Sequence, residues 1–236
     1  MEKILEFMDN KEENLKCLET FTNGDIVIKD LTFSYDNYQN NIKNLCIKIH
    51  NCSHVMIKGK SGSGKSTFCK LLNRTYEPSK GMIKINDINI LDYSLQTVRS
   101  NILYLSQNEF IFDDTIKNNI ILNNDFEINK FNKICKICHL DEVINNKPLR
   151  YETFINKNFA NLSGGEKQRI LLARALYKKF EILILDEALS EVNSDLEIDI
   201  INNLKSFLLN KTLIYVTHKN HEKYFDKVLK IGEDYE

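Results

Sequence analysis

Residues Gly59-Lys60-Ser61-Gly62-Ser63-Gly64-Lys65-Ser66-Thr67 fit the spacing GxxxxGK[ST]. They follow His54-Val55-Met56-Ile57-Lys58, a strand pattern, and precede Phe68, Leu71 and Leu72, which recur at helical spacing. Strand, glycine loop and helix in that order leave few folds open. The glycines at 59, 62 and 64 let the backbone curl so that N–H groups, including those of Ser61 and Ser63, point at phosphate oxygens, and the helix turns its positive end to the same anion. Lys65 is placed to bridge the β- and γ-phosphates of a nucleoside triphosphate, Ser66 to offer its hydroxyl to Mg²⁺, and Thr67 to support the loop.

The rest of the chain predicts what surrounds this loop. Residues 1–23 are acidic and polar after a short amphipathic start and read as a linker. Ile26-Val27-Ile28, Leu31-Thr32-Phe33 and Leu45-Cys46-Ile47-Lys48-Ile49 are short β-branched or alternating runs and predict an antiparallel sheet region. Glu181-Ile182-Leu183-Ile184-Leu185 and Thr212-Leu213-Ile214-Tyr215-Val216 are nearly continuous apolar runs, as in strands buried on both faces of a parallel sheet. Between Asn108 and Asn161 the strand signal gives way to helix-patterned, Asn-rich sequence, which predicts an inserted helical subdomain over about 108–170. The fold class is therefore α/β.

Lys+Arg (32) and Asp+Glu (33) nearly cancel, so no whole-chain charge draws the protein to nucleic acid. No apolar run approaches the ~20 residues of a membrane helix, and the start lacks the order of a signal peptide, so a soluble chain in the cytosol is expected. Six cysteines then read as reduced thiols. Cys135-Lys136-Ile137-Cys138-His139 has the spacing of a c-type haem site. However, Ile128, Phe131, Ile134, Cys135 and Cys138 fall on one helical face, where cysteine acts as a small buried hydrophobe. His50, His54 and His221 have no motif placement and are expected on the surface.

Kinases, GTPases and motors share a phosphate loop, so further residues must decide between them. Leu183-Ile184-Leu185-Asp186-Glu187 ends a buried strand with two acids, where open parallel sheets place their ligands. Asp186 suits Mg²⁺, and Glu187 can orient or deprotonate an attacking water. Ser163-Gly164-Gly165-Glu166 opens a helix pattern and makes a second anion site by the same physics. Five of the eight glycines (Gly59, Gly62, Gly64, Gly164, Gly165) lie in these two loops, so glycine is concentrated at the proposed phosphate contacts.

Leu162-Ser163-Gly164-Gly165, followed about twenty residues later by the Asp-Glu strand end, resembles the signature of ATP-binding cassette (ABC) transporters, and the resemblance covers the chain from Asp25 onward. It implies a P-loop NTPase (RecA-like) core with a mostly parallel sheet, an N-terminal antiparallel subdomain and a helical insert, in a nucleotide-binding domain over 24–236. It also implies that Tyr35 stacks on adenine and that Gln107 contacts Mg²⁺ or water and senses a transmembrane partner. His218 would meet the γ-phosphate. Two copies would pack head to tail, so that Ser163, Gly164 and Gly165 of one close over ATP held by Lys65 of the other.

Three positions depart from the family. Asn193 replaces an acid that helps couple the two sites, Glu166 replaces a glutamine, and Lys157 stands in place of an acid in Thr153-Phe154-Ile155-Asn156-Lys157-Asn158-Phe159. Phe112-Asp113-Asp114-Thr115-Ile116-Lys117-Asn118-Asn119-Ile120 resembles the exporter pattern Phe-x-x-Thr-Ile-x-x-Asn-Ile. An exporter domain on the cytoplasmic side of the cell membrane is therefore expected, with its transmembrane domains preceding Met1 in the natural polypeptide and peptides as cargo. An importer subunit and a non-hydrolysing regulatory half-site are the alternatives. A DNA-repair ATPase would need a coiled-coil insertion, and the roughly hundred residues between phosphate loop and signature carry no heptads.

Overall fold

Ile182–Asp186 (β9) and Thr212–Val216 (β10) are buried at every position, and alternate side chains enter different cores. Leu183, Leu185, Leu213 and Tyr215 join one apolar cluster, while Ile182, Ile184, Ile214 and Val216 join another. A continuous apolar run is what a strand needs when both faces are covered. The computed structural model describes residues 17–35, 41–155 and 162–232.

Around these two strands a five-stranded sheet forms in the order β11-β3-β10-β9-β6, with β3 at His54–Lys58, β6 at Ile102–Ser106 and β11 at Lys227–Lys230. Every pairing in it is parallel. One face carries helix α1 (Lys65–Leu72), whose Phe68, Cys69, Leu71 and Leu72 are buried, together with a second sheet. That sheet is antiparallel, in the order β2-β1-β4-β5, from Ile42–Ile49 (β2), Ile26–Phe33 (β1), Lys80–Ile85 (β4) and Ile88–Asn89 (β5). Helix α2 (Leu95–Asn101) leads into β6. The opposite face carries α3 (Ile116–Ile121), α4 (Ile128–Ile137), α5 (Asp141–Asn145), α6 (Gly164–Tyr177) and α7 (Ser194–Phe207).

Several expectations are corrected. The runs read as two strands at 26–28 and 31–33 form one strand, because Asp30, at φ 50°, absorbs a register shift between Ile28 and Leu31, and Asn44, at φ 47° and hydrogen-bonded to Thr32 Oγ1, lies in a second shift between Leu31 and Phe33. Asn86 and Asp87, both with positive φ, make the two-residue turn of the β4–β5 hairpin, as a type I′ turn requires. The helical stretch is interrupted by a two-stranded ribbon, Asp114–Thr115 (β7) with Phe154–Ile155 (β8). Ile128 is 45% exposed at the start of α4, whereas Phe131, Ile134, Cys135 and Cys138 are buried.

Two histidines expected on the surface are buried as well. His54 Nε2 meets the Leu208 carbonyl at 3.2 Å, and His221, 4% exposed, packs beside Glu197. His50 is exposed, near Asp25. All six cysteines are free. Among the described residues no helix is long and apolar enough to cross a membrane. Lys157 and most of the 1–23 segment lie outside the described residues.

Candidate nucleotide site

The site is built from the ends of parallel strands. In register, Ser106 lies beside Asp186, Asp186 beside Val216, and Val216 beside Ile57. The residues that follow each end therefore share one edge of the sheet: Gly59 after β3, Gln107 after β6, Glu187 after β9, and Thr217 and His218 after β10. This is the edge where open parallel sheets bind ligands.

The phosphate loop leaves β3 and enters α1 through Gly64, whose φ of 94° suits glycine; a Cβ there would stand 2.6 Å from the Asn41 carbonyl oxygen. Gly62, at φ 77°, has nothing within 4 Å of a built Cβ, so its carbon faces open space. No side chain caps α1, so the amides of its first turn have no intrahelical partner and remain available to an anion. Lys65, 6% exposed, donates through Nζ to the Gly59 and Lys60 carbonyl oxygens at 3.0 and 2.9 Å, which centres its charge inside the loop. Ser61 and Ser66 are exposed, and Ser63 N donates to the Lys60 carbonyl at 3.2 Å. Tyr35, half-exposed, places its hydroxyl 3.0 Å from Thr67 Oγ1, with its ring edge-on to Phe33 and Tyr76.

The two acids differ in environment. Asp186 is 5% exposed; its Oδ2 accepts from the Tyr104 hydroxyl at 2.9 Å, while Oδ1 is buried without a protein partner. Burial first and the neighbouring Asp186 second push the Tyr104 phenol well above its usual range, so Tyr104 stays a donor. Sequence reading missed Tyr104, since an aromatic residue in a strand gives no sign of its hydroxyl's partner. An unpaired buried carboxyl oxygen is costly unless something answers it, and a divalent cation with its waters fits. Among the described residues no cluster of three or more His, Cys, Asp or Glu could hold a metal ion. Glu187 Oε1 lies 2.8 Å from His218 Nε2, with the two side chains 32% and 52% exposed. The Glu187 backbone sits at φ 53°, an uncommon conformation for a non-glycine residue, and its N–H is held by the Val216 carbonyl at 3.0 Å. Gln107 is exposed at the end of β6.

Ser163, Gly164 and Gly165 open α6 elsewhere. The glycines pack against Glu191 and Val192, and no phosphate-loop residue stands near their built Cβ positions. Ser163 Oγ accepts from Glu166 N at 3.2 Å while Glu166 Oε2 accepts from Ser163 N at 2.6 Å, a complete capping box. The Glu166 departure thus has a structural role. Asn193 likewise caps α7, its Oδ1 accepting from Leu196 N at 2.9 Å, a task it shares with aspartate. A cavity of about 640 Å³ between α4 and α7, lined by Lys133, His139, Asp199 and Asn203 among others, contains none of the motif residues.

A family model described as ABC transporter matches residues 42–190, well over half of the 236 residues. The chain belongs to the ABC transporter family. Within it, this ATP-binding domain is 36% identical over 212 residues to the lactococcin-G-processing and transport ATP-binding protein of Lactococcus lactis, covering 89% of the chain and 30% of the relative. It is 32% identical to an ATP-dependent lipid A-core flippase of Vibrio cholerae, covering 96% of the chain and 40% of that protein. A bacterial Atm1-family ABC exporter solved with ATP bound superposes with a TM-score of 0.87 at 28% identity, over 98% of the chain and 42% of that structure. The ABC domain thus spans between 30% and 42% of the length of these proteins.

One further residue of the ABC domain was missed by sequence reading. Gln168, 3% exposed, accepts from Glu191 N at 2.8 Å and donates to Ser190 Oγ at 3.0 Å, so the loop after β9 is fastened to the signature helix. A polar residue at an otherwise buried helical position is the only signal that could have flagged it.

Proposed function

We propose that the chain hydrolyses ATP for an ABC exporter, in a site shared head to tail with a second such domain. One observation carries the hydrolysis reading: Glu187 and His218 meet at 2.8 Å on the sheet edge that also presents the Lys65 loop. In this reading the adenine lies against Tyr35 and the phosphates in the loop 59–64. Glu187 polarises a water for in-line attack on the γ-phosphoryl group, and the bond to the β-phosphate oxygen breaks to release ADP and phosphate. His218 and Lys65 hold the charge that develops on the γ-phosphoryl oxygens. Ser66, Gln107 and Asp186 would hold Mg²⁺, which supplies positive charge to the phosphates, and the buried Asp186 Oδ1 fits that task. Ser163, Gly164 and Gly165 of the second copy close the site through a capped helix N-terminus.

The exporter reading is supported by the roles of the relatives and by the pattern from Phe112 to Ile120. It places the domain on the cytoplasmic face of a membrane, beside membrane-spanning partners that choose the cargo. A peptide is the favoured cargo, on the identity to the lactococcin-G transport protein.

The test is phosphate release with MgATP across a range of protein concentrations, against Glu187→Gln. The wild-type rate should rise faster than linearly with concentration, and Glu187→Gln should be slower by about 100-fold or more, as loss of a general base implies. A wild-type rate no higher than that of Glu187→Gln at every concentration refutes hydrolysis.

A further inference from the structure

Behind the strand ends lies a buried ionic cluster to which the hydrolysis reading assigns no task. Glu197, in the first turn of α7, is 1% exposed. Its Oε1 accepts from the Tyr215 hydroxyl at 2.5 Å, its Oε2 accepts from Lys219 Nζ at 2.5 Å, and His221 Nε2 stands 3.3 Å from Oε1. Lys219 Nζ also donates to the Val192 carbonyl oxygen at 2.8 Å. A single ammonium group therefore ties α7 to a backbone carbonyl of the loop after β9.

The position of Lys219 gives this tie its consequence. It directly follows His218, and its own N–H is held by Thr217 Oγ1 at 3.2 Å, so the stem of Lys219 and the imidazole of His218 hang from one turn. The carbonyl it grips belongs to the segment Ser190-Glu191-Val192-Asn193, which Gln168 fastens to the signature helix. The chain of contacts runs from the signature helix to Gln168, to the loop, to Lys219 and so to His218. It bypasses the side chain of Asn193, the position where this chain lacks the family's acid. Burying a carboxylate with its partners contributes little to stability compared with a well-packed apolar core, so the cluster's worth lies in the geometry it fixes.

We infer that Lys219 is a positioning residue for ATP hydrolysis: it locks the loop 190–193 to the turn bearing His218, so that the surface meeting a second copy and the histidine at the γ-phosphate move as one body. This rests on the hydrolysis reading above. The Lys219 ammonium is engaged by Glu197 and the Val192 carbonyl, and the role assigned to it is positioning alone.

The test compares wild type, Lys219→Met, Lys219→Arg, the double variant Glu197→Gln/Lys219→Met and Glu187→Gln for phosphate release, with melting temperatures alongside. Methionine keeps the apolar stem and removes the donor. Lys219→Met should lower kcat about tenfold, within what a misplacement of ~1 Å costs. KM for ATP should stay within about twofold, the signature of an interaction made only in the transition state. Lys219→Arg, which keeps a cationic donor, should recover most of kcat. The double variant removes the stranded carboxylate and should regain melting temperature without regaining kcat. A Lys219→Met kcat equal to wild type overturns the inference, as does a double variant whose kcat returns with its stability, since Lys219 would then only neutralise Glu197. Should Lys219→Met fail to fold, the arginine and double variants decide in the same way. A wild type no faster than Glu187→Gln would instead refute the hydrolysis reading, and the inference with it.

Discussion

Replacing Asn119 with alanine should destabilise the domain by about 3 kcal/mol. The side chain is fully buried on α3 and makes five hydrogen bonds. Oδ1 accepts from Phe112 N and from Arg174 Nη2, both at 2.8 Å. Nδ2 donates to the carbonyl oxygens of Phe112 and Thr115 at 3.0 Å, and to that of Asp114 at 3.4 Å. Neutral bonds of this kind contribute roughly 1 kcal/mol each and the one from a guanidinium roughly 2, so their gross loss is about 6 kcal/mol. Part of it returns: Arg174 keeps the Asn119 and Phe110 carbonyl oxygens at 2.7 and 2.6 Å, and water can answer some of the released groups. For a domain of this size, 3 kcal/mol lowers the melting temperature by about 6–12 °C. The assay is urea unfolding, in which the midpoint should fall at an unchanged slope. Asn119→Asp sharpens it. The acid keeps both acceptor roles, including the one toward Arg174, but turns an oxygen onto the Phe112 and Thr115 carbonyls, so its loss should arise from the donor side alone. A loss below about 1 kcal/mol for Asn119→Ala would refute the argument, showing that these loop groups find partners without the amide.

Gly64→Ala should weaken binding of a fluorescent ATP analogue by tenfold or more, about 1.4 kcal/mol, because its Cβ would meet the Asn41 backbone carbonyl oxygen at 2.6 Å; Gly62→Ala, strained but facing open space, should lose less, and equal losses would refute the contact argument. A thiol reagent at pH 8 should label Cys46 in the native protein and reach Cys69, Cys135 and Cys138 only on unfolding, as read by peptide mass. Burial pushes the Cys135 thiol up to about 12 and raises Cys69 and Cys138 well above the usual value, so the native state holds those protons more tightly. The stability this contributes is complete below the unfolded thiol value near ~8.5 and is lost as pH rises from there toward the folded values. Native labelling of Cys135 at the rate of Cys46 would contradict it.

The parts of the fold legible in the sequence are those whose signal is local. The apolar runs of β9 and β10, the glycine loop before α1 and the acids after Leu185 each declare themselves within ten residues, and a parallel sheet then gathers their ends at one edge whatever the intervening chain does. Partners distant in sequence were not legible. His221 and Glu197 are 24 residues apart, and nothing near either predicts that they share a buried cluster. His54 looks polar in sequence yet fills a place beneath the Leu208 carbonyl. The β7–β8 ribbon has two residues per strand, too few for a periodic pattern, and β1 was divided because the bulge at Asp30 interrupts the alternation. Glu166 and Asn193 read as departures from a family pattern, whereas structurally each caps the helix it begins.

The left-handed backbone at Glu187 has a consequence for how such a domain can change over generations. A non-glycine residue held at φ 53° costs the fold on the order of 1 kcal/mol, which asparagine or glycine would largely relieve. Selection for robustness alone would therefore favour discarding the residue to which we assign the attacking water. On that assignment, a lineage retaining glutamate at this turn is held there by use, and a copy released from hydrolysis would be expected to drift here before it drifts in the buried strands beneath.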